Sequence, residues 1–133
     1  MTHGTLPETV ATLIARHIHS PAQLEALLAL YLKPEEWWTA RRLAGEMHVP
    51  AWAAQERLED LATRGFFAVK TADDVAFRFS PASEEIAAAV ADLAAVYFQR
   101  PATVIAHVRA SAPDPVRAFA DAFRIKKTED EDG

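Results

Sequence analysis

The chain has 133 residues, half of them hydrophobic and a quarter charged, which suits one globular domain and excludes a disordered or fibrous chain. It has no cysteine, so disulfides, thiolate metal sites and cysteine nucleophiles are excluded. The formal net charge of −5 is an awkward balance for a protein that handles phosphate backbones.

The opening residues, Met1 to Glu8, show neither a charged leader nor an apolar run, and no stretch approaches the roughly 18 apolar residues of a membrane helix. A soluble, cytoplasmic protein without membrane contact is expected. Pro7 opens a first helix over 7–19, with Val10, Leu13, Ile14 and Ile18 recurring at three- and four-residue spacings. Ser20 and Pro21 restart the chain as N-cap and first helical residue. The second helix, 21–33, places Leu24, Leu27, Leu28, Tyr31 and Leu32 on its buried side, and Pro34 ends it. Trp37 and Trp38 belong to a short extended link, with Trp38 read as core. Thr39 caps a third helix over 40–47, turned inward by Leu43, Ala44 and Met47. His48, Val49 and Pro50 form a turn, and a fourth helix over 51–64 buries Ala54, Leu58 and Leu61 before Gly65.

Beyond Gly65 the period falls from about 3.6 to 2. Residues 66–71 and 75–79 read as two strands around the polar turn Ala72, Asp73 and Asp74. Ser80 and Pro81 begin a long helix to about Gln99 with a stripe of Ile86, Val90, Leu93 and Tyr97. Pro101 begins a shorter one with Val104, Ile105 and Val108. Pro113 and Pro115 begin a last one with Val116, Phe119 and Phe123. The expected class is therefore mainly α with a small β-hairpin. It forms one domain over 1–127, with a helical extension at 81–125 and an acidic, solvated tail at 128–133. Without the tail's four acids, 14 basic residues face 15 acidic ones (19 minus 4), so the body is near neutral.

Trp38, Thr39, Arg41, Arg42, Leu43 and Ala44, the turn at His48 to Pro50, and the run Leu58, Leu61, Gly65, Phe66 together resemble a known pattern, that of bacterial MarR-like winged helix-turn-helix regulators. The likeness covers about a third of the chain, with helix-turn-helix and wing at 39–80. It implies a winged helix with added N- and C-terminal helices, and a DNA-binding transcription regulator whose second helix of the pair enters the major groove. Carried onto this sequence, Trp52, Gln55 and Arg57 would meet the groove, and Arg41, Arg42, Arg64 and Arg78 the phosphates of double-stranded DNA. Against this, Glu56, Glu59 and Asp60 share that helix, Asp73 and Asp74 stand at the wing tip, and residues 21–65 carry five basic against seven acidic groups.

That balance keeps open a second reading, a winged-helix module that meets a protein partner through Trp52, the acidic helix and the C-terminal Phe119 and Phe123. The C-terminal helices either fold back to complete one core or join a homodimer, and the two are not exclusive. Phosphate-binding glycine loops and catalytic signatures are missing, so neither an enzyme nor a cofactor is expected. His17, His19, His48 and His107 read as solvated surface groups rather than metal ligands.

Overall fold

The computed structural model describes residues 6–111. Their order is α1 (Glu8–His17), α2 (Pro21–Leu32), β1 (Trp38–Thr39), α3 (Ala40–Met47), α4 (Ala51–Thr63), β2 (Phe67–Thr71), β3 (Val75–Phe79), α5 (Glu84–Gln99) and α6 (Pro101–Ser111). The last predicted helix, with Val116, Phe119 and Phe123, and the acidic tail lie outside the described residues. Among the described residues no helix is long and apolar enough to cross a membrane.

Local chemistry sets most boundaries. Ser20 Oγ accepts from the Gln23 amide at 3.1 Å and Thr39 Oγ1 from the Arg42 amide at 3.1 Å, so both act as N-caps. The C-terminus of α4 closes through two backbone bonds, Phe66 N–H to Leu61 O at 3.0 Å and Gly65 N–H to Ala62 O at 3.1 Å. That pairing needs a left-handed residue, and Gly65 supplies it at φ 95°. A Cβ there would also stand 3.3 Å from the Ala82 side chain, so the turn into the hairpin is specific to glycine.

Two expectations are corrected. The long helix starts at Glu84 rather than after Ser80: Ser83 Oγ takes the Ile86 amide at 3.1 Å. Residues 80–82 are held instead to the α4–β2 turn, by Ser80 N–H to Phe66 O at 2.9 Å and Ala82 N–H to Gly65 O at 2.8 Å. In α2, Leu32 is 55 % exposed, whereas Ala26 and Leu30 are fully buried. This helix is enclosed on nearly all sides by α3, α4, α6 and β3, so a single apolar stripe understates it.

One core runs through every helix. Val10 and Ile14 of α1, Leu24 and Leu27 of α2, Leu58 and Leu61 of α4, Phe77 of β3, Leu93 of α5 and Val104 of α6 are all buried within it. At about 1.5–3 kcal/mol for each large apolar side chain removed from water, this cluster is the main source of stability. The stripe on α5 is therefore covered within the chain, chiefly by α1 and α6.

The hairpin is joined by a third strand that the sequence did not disclose. β1 pairs with β3, giving an antiparallel sheet in the order β1-β3-β2. The register sets Trp38 opposite Phe77 on the face turned to the helices, and Phe77 opposite Val69, which is 48 % exposed. Trp38 is 2 % exposed there, as its reading as core required. The other face carries Thr39, Ala76, Lys70, Arg78 and Ala68.

Candidate nucleic-acid interface

Two outward surfaces surround the α3–α4 pair, and their chemistry differs. The first is the outer face of the sheet. Lys70 and Arg78 lie over the ring of Trp37, each with its cationic centre 4.6 Å from the ring centroid. Strand alternation places Lys70 and Arg78 on this face, and Trp37, one residue before Trp38, reaches it from the β1 side. The ring's negative face attracts both cations, at about 0.5–1 kcal/mol each on an exposed surface. Neither has a carboxylate within 4.0 Å among the described residues.

Beside this cluster, Arg42 stacks over Trp38 at 3.8 Å and donates to Glu36 Oε1 at 2.5 Å and to the Trp37 carbonyl at 3.5 Å. That bond from Arg42 holds the Glu36 carboxyl below its usual range. Arg41, on the first turn of α3, is exposed and has no ion pair among the described residues.

The second surface is the outward side of α4. Trp52 is 67 % exposed, and Gln55, Glu56 and Glu59 follow it at helical spacing. Gln55 Nε2 donates to Glu59 at 2.6 Å, so one of its two amide hydrogens is engaged. Arg57 is half-buried and lies 3.7 Å from Glu56. Apart from both surfaces, Asp73 and Asp74 are exposed in the turn that joins β2 to β3.

Arg64 is turned to the interior side of α4. Its Nε donates to Asp60 at 3.0 Å, and its terminal nitrogen reaches the Arg16 carbonyl at 3.1 Å and His17 Nδ1 at 3.3 Å. Asp60 also accepts from Gln23 at 2.5 Å, and Gln23 accepts the His19 amide at 2.7 Å. These bonds tie α1, α2 and α4 together, so Asp60 faces α2 and its charge is shared inside the fold rather than offered to a ligand.

His17 is not the solvated group expected, whereas His48 is exposed. His17 is half-buried, packs edge-on against Phe66 at 5.4 Å, and is held below its ordinary pKa by burial, then by Arg64. Among the described residues, no group of three or more His, Cys, Asp or Glu is placed to hold a metal ion.

Of the seven residues singled out from the sequence, Arg78 falls on the sheet face and Arg42 beside it, and Arg41 is exposed on the first turn of α3. Trp52, Gln55 and Arg57 fall on α4, and Arg64 belongs to neither surface. Trp37 and Lys70 were missed. Period-2 alternation around the 72–74 turn puts Lys70 and Arg78 on one face and was available in the sequence, whereas Trp37 depends on the long-range pairing of β1 with β3. Comparison with family models, with curated proteins and with solved structures finds no match.

Proposed function

We propose that this chain is a DNA-binding protein of the winged-helix type, acting in transcription regulation and having no enzyme activity of its own. On this reading α3 and α4 are the helix-turn-helix, and β2–β3 is the wing with β1 on its far side. That element order supports the reading, but fold alone does not assign function. The observation that carries it is the sheet face, where Lys70 and Arg78 gather on Trp37 and no residue of the face is acidic. Unpaired, pre-positioned cations are what a phosphate backbone requires. The test is fluorescence anisotropy with a labelled duplex of mixed sequence at about 50 mM salt. Binding at micromolar protein, weakening steeply with added salt, is expected; no change in anisotropy at that concentration overturns the reading.

A specific observation also favours a second reading. Trp52, 67 % exposed beside Glu56 and Glu59, has the make-up of an anchor for a basic protein partner. A photo-crosslinking residue at position 52 would then trap a partner in the source cells, and Glu56→Lys with Glu59→Lys would abolish the product. Persistence of the product in that variant counts against this reading. A homodimer is part of the first proposal, with Phe98, 57 % exposed on α5, as an apolar group that a second copy would cover. Light scattering at the chain's own mass would remove that part.

A further inference from the structure

The sheet face and α4 divide between them what a helix-turn-helix is expected to do with one helix. On α4 the candidate base-reading donors are drawn toward the helix's own acids: one Gln55 amide hydrogen to Glu59 at 2.6 Å, and half-buried Arg57 beside Glu56 at 3.7 Å. What remains outward is the Trp52 ring and two carboxylates, and a carboxylate facing a phosphate across a few ångströms is repelled. On the sheet face the balance is reversed. Lys70 and Arg78 share one ring without a carboxylate partner among the described residues, and the residues between and beside them, Ala68, Ala76 and Thr39, are small. On that face Lys70 is exposed and Arg78 partly so, with the Trp37 ring between them and Ala76 buried.

We infer that duplex DNA lies along the outer face of the β1-β3-β2 sheet and the first turn of α3. Its phosphates meet Lys70, Arg78 and Arg41, while Arg42 stays paired with Glu36, α4 is turned away and binding is indifferent to base sequence. This rests on the DNA-binding reading above and narrows it. Phosphate contacts fix position and carry no sequence information, and the exposed carboxylates of Glu56 and Glu59 make it unfavourable for α4 to enter a groove flanked by phosphates. Held by the Trp37 ring, the two wing cations lose little freedom on binding, which favours contact at low energetic cost.

Three proteins distinguish the outcomes: the unaltered chain, Lys70→Gln/Arg78→Gln, and Trp52→Ala/Gln55→Ala. Each is titrated against two duplexes of unrelated sequence. Glutamine keeps the side-chain stems on the strands, and circular dichroism with a melting temperature reports folding. Should the double sheet variant unfold, Lys70→Gln alone removes one exposed charge and carries the test. At about 50 mM salt, loss of two phosphate contacts weakens binding on the order of a hundredfold by the counterion-release slope. That loss is expected for both duplexes in the sheet variant. The α4 variant is expected to stay within about twofold, since it loses no phosphate contact. The two duplexes should differ by no more than a few-fold, against the roughly thousandfold or greater ratio of a specific site. If the α4 variant loses binding, or one duplex is preferred by such a ratio, the inference falls and the DNA-binding reading stands. If the unaltered chain binds neither duplex, that reading itself falls.

Discussion

The sheet face and the outward side of α4 lie on the same helix-pair-and-hairpin unit, yet one gathers cations and the other carboxylates. On α4, residues three and four apart are neighbours, so Gln55 finds Glu59 and Arg64 finds Asp60, and polar groups are consumed by their own helix. On the sheet, Lys70 and Arg78 come from different strands, their neighbours across the ladder are alanines, and the group both cations contact is an aromatic ring. A ring holds a cation in place without neutralising it, as a carboxylate would. The contrast shows why counting charges along a segment misleads: net charge over residues 21–65 is negative, but it is the geometry of pairing that decides which charges remain available.

The largest effect expected concerns Arg64, which separates structure from binding. Arg64→Ala removes the bonds to Asp60, Arg16 and His17 and leaves Asp60 without its cation. A loss of about 1–3 kcal/mol in denaturant unfolding is expected. Duplex affinity of the folded protein should not change, and a parallel loss of affinity would place Arg64 at the interface after all.

Next is Trp37→Ala, which takes away the seat of both wing cations. With two cation–π contacts at about 0.5–1 kcal/mol each, duplex affinity should fall about tenfold. Unchanged affinity would mean that the ring does not position them. Smaller still is Glu56→Gln/Glu59→Gln, which removes two charges from α4. If α4 is turned away, screening limits the gain in affinity to a few-fold; a gain of a hundredfold would bring α4 to the phosphates and erase the contrast between the surfaces.

The smallest effect is pH-dependent. Because burial and Arg64 hold His17 below 6.5 in the folded protein, the unfolded chain takes up that proton first as pH falls. The stability contributed by neutral His17 is present above about 6.5 and is lost as pH falls through the lower, folded value. Between pH 7 and pH 5 the melting temperature should therefore drop more for the unaltered chain than for His17→Gln, and equal drops would contradict this.

Much of the architecture was legible because it is written locally. The Thr39 cap, the Gly65 reversal, the α3 limits and the 75–79 strand each depend on residues within a few positions, and the structure agrees with all four. The start of α5 was misread because Ser80 and Pro81 carry a helix-start signature, while backbone bonds to Gly65 and Phe66, made only in the folded state, hold that segment extended. β1 joining β3 was not legible, since Trp38 and Phe77 are distant in sequence, and with it went the Trp37 cluster. The competition for side-chain donors on α4 was half legible: the i, i+4 pairs can be read off the sequence, but the turn of Arg64 toward α1 cannot.

The central claim is that the sheet face, and not α4, supplies the phosphate contacts. It is tested most directly by the salt dependence of duplex binding for the unaltered chain and for Lys70→Gln/Arg78→Gln. Each phosphate contact contributes about 0.9 to the slope of log affinity against log salt, so the account predicts a slope shallower by about 1.8 in the double variant. An identical slope in the two proteins would contradict it.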